Sequence, residues 1–255
     1  MKILVTAKRV TDYDSKLSLT ADGRSINYDN VDFKMNPFCE IAVEAAIQVA
    51  ESEQVDDAEI VVVTIGDEDA VKEIRTAMAM GAHRGIHVEC EEDQLDSALV
   101  AQMLGKICAD EEPDLVILGK QAVDGDSNQV GQLIAEQLGW PQATFAYQIK
   151  LNEDASGADV LREVDGGVET ISLSFPAVIT TDLRLNTPRY ASLPGIMKAK
   201  RKPLETVEPD DLDVDIDEPL VEIVGYAMPS ERAGGQLVGS VDELLDKLRG
   251  EAKVL

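Results

Sequence analysis

The loop from Gly119 to Val130 carries the residue types that could bind a phosphate-bearing ligand. It follows the apolar run Asp114 to Leu118, and its sequence is GKQAVDGDSNQV. Glycine lets the backbone approach a phosphate, free amides at a helix start favour an anion, and Asn and Gln can hydrogen-bond to a base or a ribose. The chain contains neither GxGxxG nor GxxxxGK[ST], so it has no dinucleotide or P-loop fingerprint. The residues alone fit a nucleotide site and a solvated acidic loop that caps a helix about equally well.

The cysteines and histidines do not predict redox or metal chemistry in the side chains. His83 and His87 are the only histidines, and Gly85 between them argues against a shared helical face and a metal site. The three cysteines form no Cys-x-x-Cys pair and suit a reducing compartment: Cys39, Cys90 and Cys108. We therefore expect any electron handled by this chain to reside on a bound organic cofactor.

The charge of the chain excludes several classes of partner. Its formal net charge is −26, with 49 acidic and 23 basic residues, and this potential repels nucleic acid and anionic membranes. No run approaches the roughly 18 to 20 apolar residues of a membrane helix, and the N-terminus lacks a signal-peptide pattern. We expect a cytoplasmic protein without membrane insertion. Basic residues concentrate between Arg184 and Lys202, and eight acids follow between Glu205 and Glu218.

The elements that must position the loop alternate between strand and helix over the first 140 or so residues. Such alternation predicts an α/β fold with a mostly parallel sheet flanked by helices, of Rossmann-like type. Ligands of such sheets bind beyond the carboxyl ends of the strands. Asn36-Pro37 is typical of a helix start, with Asn as the cap. The predicted strands are Lys2–Val5, Glu59–Ile65, Ile86–Cys90 and Asp114–Leu118, and the other helices are Asp69–Met80, Gln94–Asp110 and one from near Asn128.

The pattern changes after Trp140. Three short antiparallel strands are predicted, with Asp165-Gly166-Gly167 as a turn: Phe145–Leu151, Val160–Val164 and Glu169–Phe175. Residues 1–202 are expected to form one domain. Residues 203–255 are expected to form an extended arm that ends in a helix, because Ser240 and Glu243 have capping-box spacing. An arm that carries a terminal apolar helix is hard to stabilise alone, which indicates a partner surface.

Several segments resemble the β subunit of electron transfer flavoprotein. The most specific is EVDGGVETISLSFPAVITTDLRLNTPRYASLPGIMKAKRKP, from Glu163 to Pro203. GKQAVDGDSNQVGQ, NPFCEIAVEAA and IRTAMAMGAHRGIHVE are similar to the matching segments of the same family, so the resemblance covers nearly the whole chain. Two positions depart from the family pattern, Gly125 in the nucleotide loop and Gly195 where Asn is common.

The resemblance implies a structural AMP in this chain and a redox FAD held mainly by an α subunit. Tyr13 and Phe38 match aromatics that lie near that flavin, although ordinary packing would also account for them. The AMP contacts implied by the resemblance are Thr6, Asn36, Pro37, Phe38, Cys39, Ile65, Gly119, Lys120, Gln121, Ala122, Val123, Asp124, Gly125, Asp126, Ser127, Asn128, Gln129 and Val130.

The resemblance also implies the partners. Leu193 matches the anchor of a loop that docks dehydrogenases, and Tyr190, Pro194 and Ile196 flank it. Acyl-CoA and related dehydrogenases of fatty acid β-oxidation would reduce the flavin. A membrane electron transfer flavoprotein-quinone oxidoreductase would accept the electrons. The tail would pack on the α subunit, and no residue here would act as a catalyst.

Two other functions were weighed against this one. An electron-bifurcating relative would hold a second FAD in place of AMP, but the run from Asp126 to Gln129 is more similar to the AMP-binding group. A nucleotide-binding protein similar to universal stress proteins would account for residues 1–140. It would leave the Arg184–Lys202 segment and the arm without a role.

Overall fold

The computed structural model describes residues 1–91, 95–216, 219–230 and 234–255. These residues form two compact units, Met1–Leu17 with Tyr28–Ile223 and Ser18–Asn27 with Val224–Leu255. The described strands are β1 Lys2–Thr6, β2 Arg9–Thr11, β3 Ser18–Leu19, β4 Ile26–Asn27, β5 Phe33–Met35, β6 Glu59–Gly66, β7 Arg84–Glu89, β8 Leu115–Gly119, β9 Gln142–Leu151, β10 Gly157–Val164, β11 Gly167–Ser174, β12 Ala177–Thr181 and β13 Leu204–Val207. The described α-helices are α1 Pro37–Ala50, α2 Val71–Met80, α3 Ser97–Glu111, α4 Val130–Leu138, α5 Leu193–Ala199 and α6 Val241–Lys247.

The larger unit is built on a nine-stranded sheet in the order β11-β10-β9-β12-β8-β1-β6-β7-β13. Neighbouring strands from β9 to β13 in this order run parallel, and β10 and β11 add an antiparallel hairpin at one side. The predicted α/β class and the parallel core are therefore confirmed. The carboxyl ends of β12, β8, β1 and β6 lie at one edge, where loops lead into helices.

Alternate residues of each central strand enter different cores. Ile3 and Val5 of β1 pack in the cluster that includes α1 and α2, whereas Leu4 packs in the cluster that includes α3 and α4. On β6, Val62 packs in the cluster with α1 and α2, and Val61 packs in the cluster with α3 and α4. Successive strand side chains point to opposite faces, so a strand with helices on both sides needs a continuous apolar run. This is why the β-branched runs identified these strands in the sequence.

Several predicted boundaries shift in the structure. The predicted helix from Asp69 begins at Val71, after a 3-10 turn at Glu68–Ala70 that the Asp67 side chain caps. Val71 itself is only half-buried. The predicted start of the third helix at Gln94 lies outside the described residues, and the described helix begins at Ser97 after the cap Asp96.

The predicted antiparallel strand Phe145–Leu151 is confirmed, and it forms the second part of a longer strand. The strand begins at Gln142, and its first residues pair parallel with β12, which is buried throughout. Its later residues pair antiparallel with β10. The pairing shifts near Phe145, which has a φ of 60°. A non-glycine residue in this left-handed region marks a local bulge, and here the bulge separates the two pairing modes.

The boundary between the two units differs from the predicted one at residue 203. Leu204–Val207 is the edge strand β13, which pairs parallel with β7. Beyond it, Leu212 and Val214 are buried in the core that holds α3. These apolar residues tie the first part of the predicted arm to the sheet, although the acids around them obscured this in the sequence.

The smaller unit consists of a short hairpin and the tail. The hairpin pairs β3 with β4, and the tail carries α6, followed by a π-helical turn at Leu248–Ala252. Ser240 accepts a hydrogen bond from the Glu243 amide, so the predicted cap is confirmed. No described residue of α6 is buried. In the described part of the chain, no helix is long and apolar enough to cross a membrane.

Arg84 joins three elements at the amino-terminal edge of the sheet. Its guanidinium donates to Glu59 on β6 (Nε–Oε1 2.8 Å) and to Glu111 on α3 (Nη1–Oε1 2.8 Å), and Lys2 Nζ lies 3.1 Å from Glu111 Oε2. Hydrogen bonds from Arg84 hold the pKa of both carboxyl groups below their usual range. The pair with Glu111 is the more sheltered of the two.

We expect Arg84→Gln to lower the free energy of unfolding by about 2 kcal/mol at pH 7, because the half-buried Glu111 loses the guanidinium and keeps only Lys2 as a cationic partner. The depressed carboxyl pKa values add stability that is complete above about pH 4.3, the unfolded Glu value, and is lost as the pH falls through the lower folded values. Urea unfolding of both proteins at pH 7 and at lower pH would measure this. A difference that stays constant below pH 4 would contradict the assignment.

Candidate functional site

Four strand ends converge at the carboxyl edge of the sheet. Thr6 ends β1, Ile65 is the next-to-last residue of β6, Gly119 ends β8 and Thr181 ends β12. Thr6, Ile65 and Gly119 are half-buried, so each has some surface open to this edge. The structure thus brings together the three predicted strand-end contacts, as the parallel pairing of β1, β6 and β8 requires.

Asn36 holds the loop that follows β8. It is only 1% exposed, and its amide nitrogen donates to the Gln121 carbonyl oxygen at 2.9 Å and to Cys39 Sγ at 3.3 Å. Its amide oxygen accepts from the Val123 backbone nitrogen at 3.1 Å. The prediction that this side chain caps helix α1 is wrong, because it makes no cap hydrogen bond. Asn36 instead fixes the start of the predicted nucleotide loop.

The first turn of α1 packs directly on the end of β8. A Cβ added to Gly119 would lie 2.7 Å from Phe38 Cβ and 2.9 Å from the Phe38 carbonyl carbon, so only glycine fits there. Thr181 Oγ1 donates to the Phe38 carbonyl oxygen at 3.0 Å. Burial raises the pKa of the Cys39 thiol. Phe38 and Cys39 are therefore packed residues, whereas Pro37 is half-buried.

The loop itself is internally bonded. Gln121 Nε2 donates to Asp126 Oδ1 at 2.6 Å, and Lys8 Nζ pairs with Asp124 Oδ2 at 2.6 Å. Asp126 and Asn128 have a φ of 50° in the left-handed region, which Asp and Asn tolerate better than most residues. The tip is exposed from Asp124 to Ser127, while Ala122 and Val123 are half-buried. A bonded loop with an open tip differs from a simple solvated connection.

Helix α4 starts at the end of this loop. It begins at Val130, two residues after Asn128, because the left-handed φ of Asn128 is not compatible with the helix. Gln129 occupies the cap position but its side chain makes no cap hydrogen bond. The first amides of α4 therefore lack a side-chain acceptor from Gln129, and an anion could accept from them. Gly131 keeps this helix close to β12, because a Cβ there would meet Thr180 Cγ2 at 2.4 Å.

The Lys120 ammonium group contacts one carboxylate and two aromatic rings of the same chain. Its Nζ lies 2.7 Å from Asp182 Oδ2, 4.6 Å from the ring centroid of Phe145 and 5.3 Å from that of Phe38. The Lys120 charge is thus balanced by Asp182 and lies against two aromatic faces. Neither Asp182 nor Phe145 is among the site residues predicted from the sequence. A single sequence contains no local pattern that pairs residues so far apart. The left-handed backbone at Phe145 is also not marked by a glycine, the residue that usually adopts it.

The two aromatics predicted near a flavin differ in exposure. Tyr13 is 66% exposed, with Lys34 Nζ 3.4 Å from its ring centroid. Phe38 is only 6% exposed. Tyr13 therefore offers a ring face to a partner, while Phe38 contributes mainly through packing.

The predicted docking residues are exposed. Tyr190 is 98% and Leu193 is 73% exposed, and Pro194 is also exposed. Leu193, Ile196 and Met197 follow the i, i+3, i+4 spacing of one helical face of α5, and all are exposed. Ser192 Oγ caps the helix by accepting from the Gly195 amide at 3.1 Å. The alternative that Leu193 is an interior residue of an amphipathic helix is wrong.

Only part of the basic segment faces outward. Arg184 pairs with Glu163, Arg189 pairs with Glu44 and Glu51, and Lys202 donates to two carbonyl groups of the segment around α2. The remaining cations are exposed and form no ion pair with the described residues: Lys198, Lys200 and Arg201. The outward positive charge therefore adjoins the exposed face of α5.

An acidic cleft of about 710 Å³ lies at the same edge of the sheet, beyond β6, β7 and β13. Seven carboxylates line it together with Cys90, Pro209 and Ile216: Asp67, Glu68, Asp69, Glu89, Glu91, Glu208 and Asp210. Like charges repel a phosphate, so the acidic lining disfavours an anionic ligand in this cleft. Among the described residues, no group of acids, histidines and cysteines could hold a metal ion.

Comparison with known proteins assigns the family. Residues 25–212 match the electron transfer flavoprotein domain. The chain is 50% identical over 255 residues to the mitochondrial electron transfer flavoprotein subunit beta of Arabidopsis thaliana, with 100% of both chains covered. It is 49% identical to the subunit beta of Bradyrhizobium diazoefficiens, again over 100% of both chains. It is 46% identical to that of Homo sapiens, covering 98% of this chain and 97% of the human one. The chain therefore belongs to the family of electron transfer flavoprotein beta subunits and is an electron transfer protein.

Proposed function

We propose that this chain is the β half of a heterodimeric electron transfer flavoprotein. It binds AMP as a structural ligand, covers an FAD held mainly by an α subunit, and presents α5 to the dehydrogenases that reduce the flavin. The observation that carries this proposal is full-length similarity to beta subunits, combined with a bonded loop at the carboxyl edge of the sheet. The chain acts as a carrier subunit, and none of its side chains needs to serve as acid, base or nucleophile.

The donor set at the loop fits AMP. Amides at the start of α4 suit a phosphate, and the glycine at 119 lets the first turn of α1 pack against the end of β8 beside the loop. Asn128 and Gln129 offer polar groups at the open end of the loop. Four of the predicted contacts are hydrogen-bonded or packed within the chain: Asn36, Phe38, Cys39 and Lys120. They would support the AMP site by fixing the positions of the segments around it. FAD, when bound, supplies the electron-accepting group that the side chains lack.

The tail fits a role in holding the α subunit. Large apolar side chains are exposed along it, and α6 buries no residue within the described chain. Large apolar side chains exposed in this way are typical of a segment that is covered in its functional assembly. The exposed examples are Val224, Tyr226, Met228, Leu237, Val241 and Leu244.

Electrons would enter from acyl-CoA and related dehydrogenases and leave to a membrane quinone oxidoreductase. The exposed face of α5 fits a hydrophobic pocket on such a dehydrogenase, and the adjoining cations favour an acidic rim. The relatives from Arabidopsis and rice are named mitochondrial. A cytoplasmic location for this chain stays a prediction.

The nucleotide content of the purified complex tests the proposal. The chain is co-expressed with the flavoprotein α subunit from the same source, denatured, and the released nucleotides are identified by mass spectrometry. We expect equal amounts of AMP and FAD. Two FAD and no AMP would indicate a bifurcating relative. ATP or ADP bound to the lone chain would indicate a protein similar to universal stress proteins, and either result would overturn the proposal.

A further inference from the structure

We infer that Arg189 is a positioning residue for docking, which holds the segment Tyr190–Ala199 on helix α1 in the orientation that a dehydrogenase recognises. This inference rests on the proposed docking function. Arg189 would act without touching the partner, by fixing the chain just before the exposed residues.

Arg189 is bound to a buried carboxylate. Its backbone nitrogen donates to Glu44 Oε2 at 3.1 Å, and its Nε and Nη2 donate to Glu44 Oε2 at 2.8 Å and Oε1 at 3.1 Å. Glu44 lies on α1 and is among the few charged residues buried in the described chain. Burial opposes ionisation of Glu44, but hydrogen bonds from Arg189 and Gln48 outweigh it and keep its pKa below the usual range. The main chain and the side chain of Arg189 are therefore both bound by the Glu44 carboxylate.

A second carboxylate completes the arrangement. Arg189 Nη1 and Nη2 donate to Glu51 Oε1 and Oε2, both at 2.8 Å. Three residues earlier, Asn186 Nδ2 donates to the Ile41 carbonyl oxygen of α1 at 3.0 Å. A planar guanidinium that forks two carboxylates fixes direction as well as distance, which a lysine cannot do. The approach to the docking helix thus follows α1 for several residues.

The far end of α5 is fixed separately. Arg75 Nη1 on α2 donates to the carbonyl oxygens of Ala199 at 2.7 Å and Lys202 at 2.9 Å. Lys202 Nζ donates in return to those of Met78 at 2.9 Å and Ala82 at 2.6 Å. With both ends held, the exposed face needs little further ordering when it binds, and less ordering means tighter binding. On the amino-terminal side of Leu193, the hydrogen bonds of Arg189 to α1 are the nearest contacts of this kind.

The chain offers a matched control for this role. Arg84 also forks two carboxylates, Glu59 and Glu111, but at the amino-terminal edge of the sheet. Arg189→Lys and Arg84→Lys each keep the positive charge but remove the guanidinium that hydrogen-bonds to two carboxylates at once. Both would be prepared as the FAD-loaded heterodimer, with Leu193→Ala beside them. The melting temperature and the steady-state reduction by a purified acyl-CoA dehydrogenase would be measured for all.

We expect Arg189→Lys to raise the KM for the heterodimer about five-fold with kcat unchanged, because binding must now order the segment. Arg84→Lys should lower the melting temperature without changing KM. Glu51→Gln, which leaves the Glu44 contacts in place, should raise KM about two-fold and serves if Arg189→Lys does not fold.

Three results would overturn the inference. Arg189→Lys could leave KM unchanged while Leu193→Ala raises it, which removes the positioning role but keeps docking. Arg84→Lys could raise KM as much as Arg189→Lys, which makes the effect one of general stability. Leu193→Ala could also leave KM unchanged, in which case docking through α5 fails and the inference fails with it.

Discussion

Asn36→Leu is expected to lower the free energy of unfolding by about 3 kcal/mol, since the change leaves two half-buried hydrogen-bonding groups of the loop without this partner. The Gln121 carbonyl and the Val123 amide both bond to the Asn36 side chain. Leucine has nearly the same size but neither donates nor accepts. We also expect the AMP content of the purified heterodimer to fall, because the loop loses its hold on α1. Urea denaturation and nucleotide analysis of the same preparation would measure both effects.

Asn152→Leu is a suitable control, because Asn152 is exposed in the turn between β9 and β10. This variant should keep its stability within about 0.5 kcal/mol and retain its AMP. Unaltered stability in Asn36→Leu would show that the loop does not depend on Asn36. Full AMP content in a destabilised Asn36→Leu would separate the loop from the nucleotide and count against the proposed site.

Leu193→Ala is expected to reduce the rate constant for flavin reduction by a dehydrogenase about ten-fold at limiting concentrations. The exposed leucine would be buried in the complex, and removing most of its side chain forfeits that burial. Because the residue lies outside both cores, we expect unchanged stability and unchanged FAD and AMP content. Stopped-flow reduction at several concentrations of a purified acyl-CoA dehydrogenase would measure the effect.

Leu183→Ala provides the comparison, since Leu183 is also exposed but lies before the docking segment. Its reduction rate should equal that of the unmodified protein. Equal slowing in the two leucine variants would point to a general surface effect. An unchanged rate in Leu193→Ala would rule out this leucine as the anchor.

The parallel core could be predicted from the sequence because its strands are buried on both faces. The run EIVVVTI at Glu59–Ile65 matches β6 to within one residue, and Gly81 marks the end of α2. Periodicity and helix stops are local signals, so one sequence is enough to find them.

Other features depend on contacts between distant residues. The Asn36 side chain could hydrogen-bond to its own helix or to a loop 85 residues away. Which of the two it bonds to is determined by the tertiary fold, which brings the loop within reach. Phe145 adopts a left-handed backbone because β9 changes from parallel to antiparallel neighbours there. Leu204–Val207 joins the sheet because β7 leaves an edge open to it, although its surroundings are acidic. Local propensity carries no information on any of these pairings.

The acidic cleft divides the carboxyl edge of the sheet by electrostatic potential. Beyond β6, β7 and β13 the surface repels a mononucleotide, and at 0.1 M salt this repulsion extends over about 10 Å before counter-ions screen it. This repulsion disfavours a dianionic phosphate on that side of the edge, whereas helix α4 begins on the other side, after β8. The carboxylates of the cleft thus make the two sides of this edge unequal in their local potential for an anion.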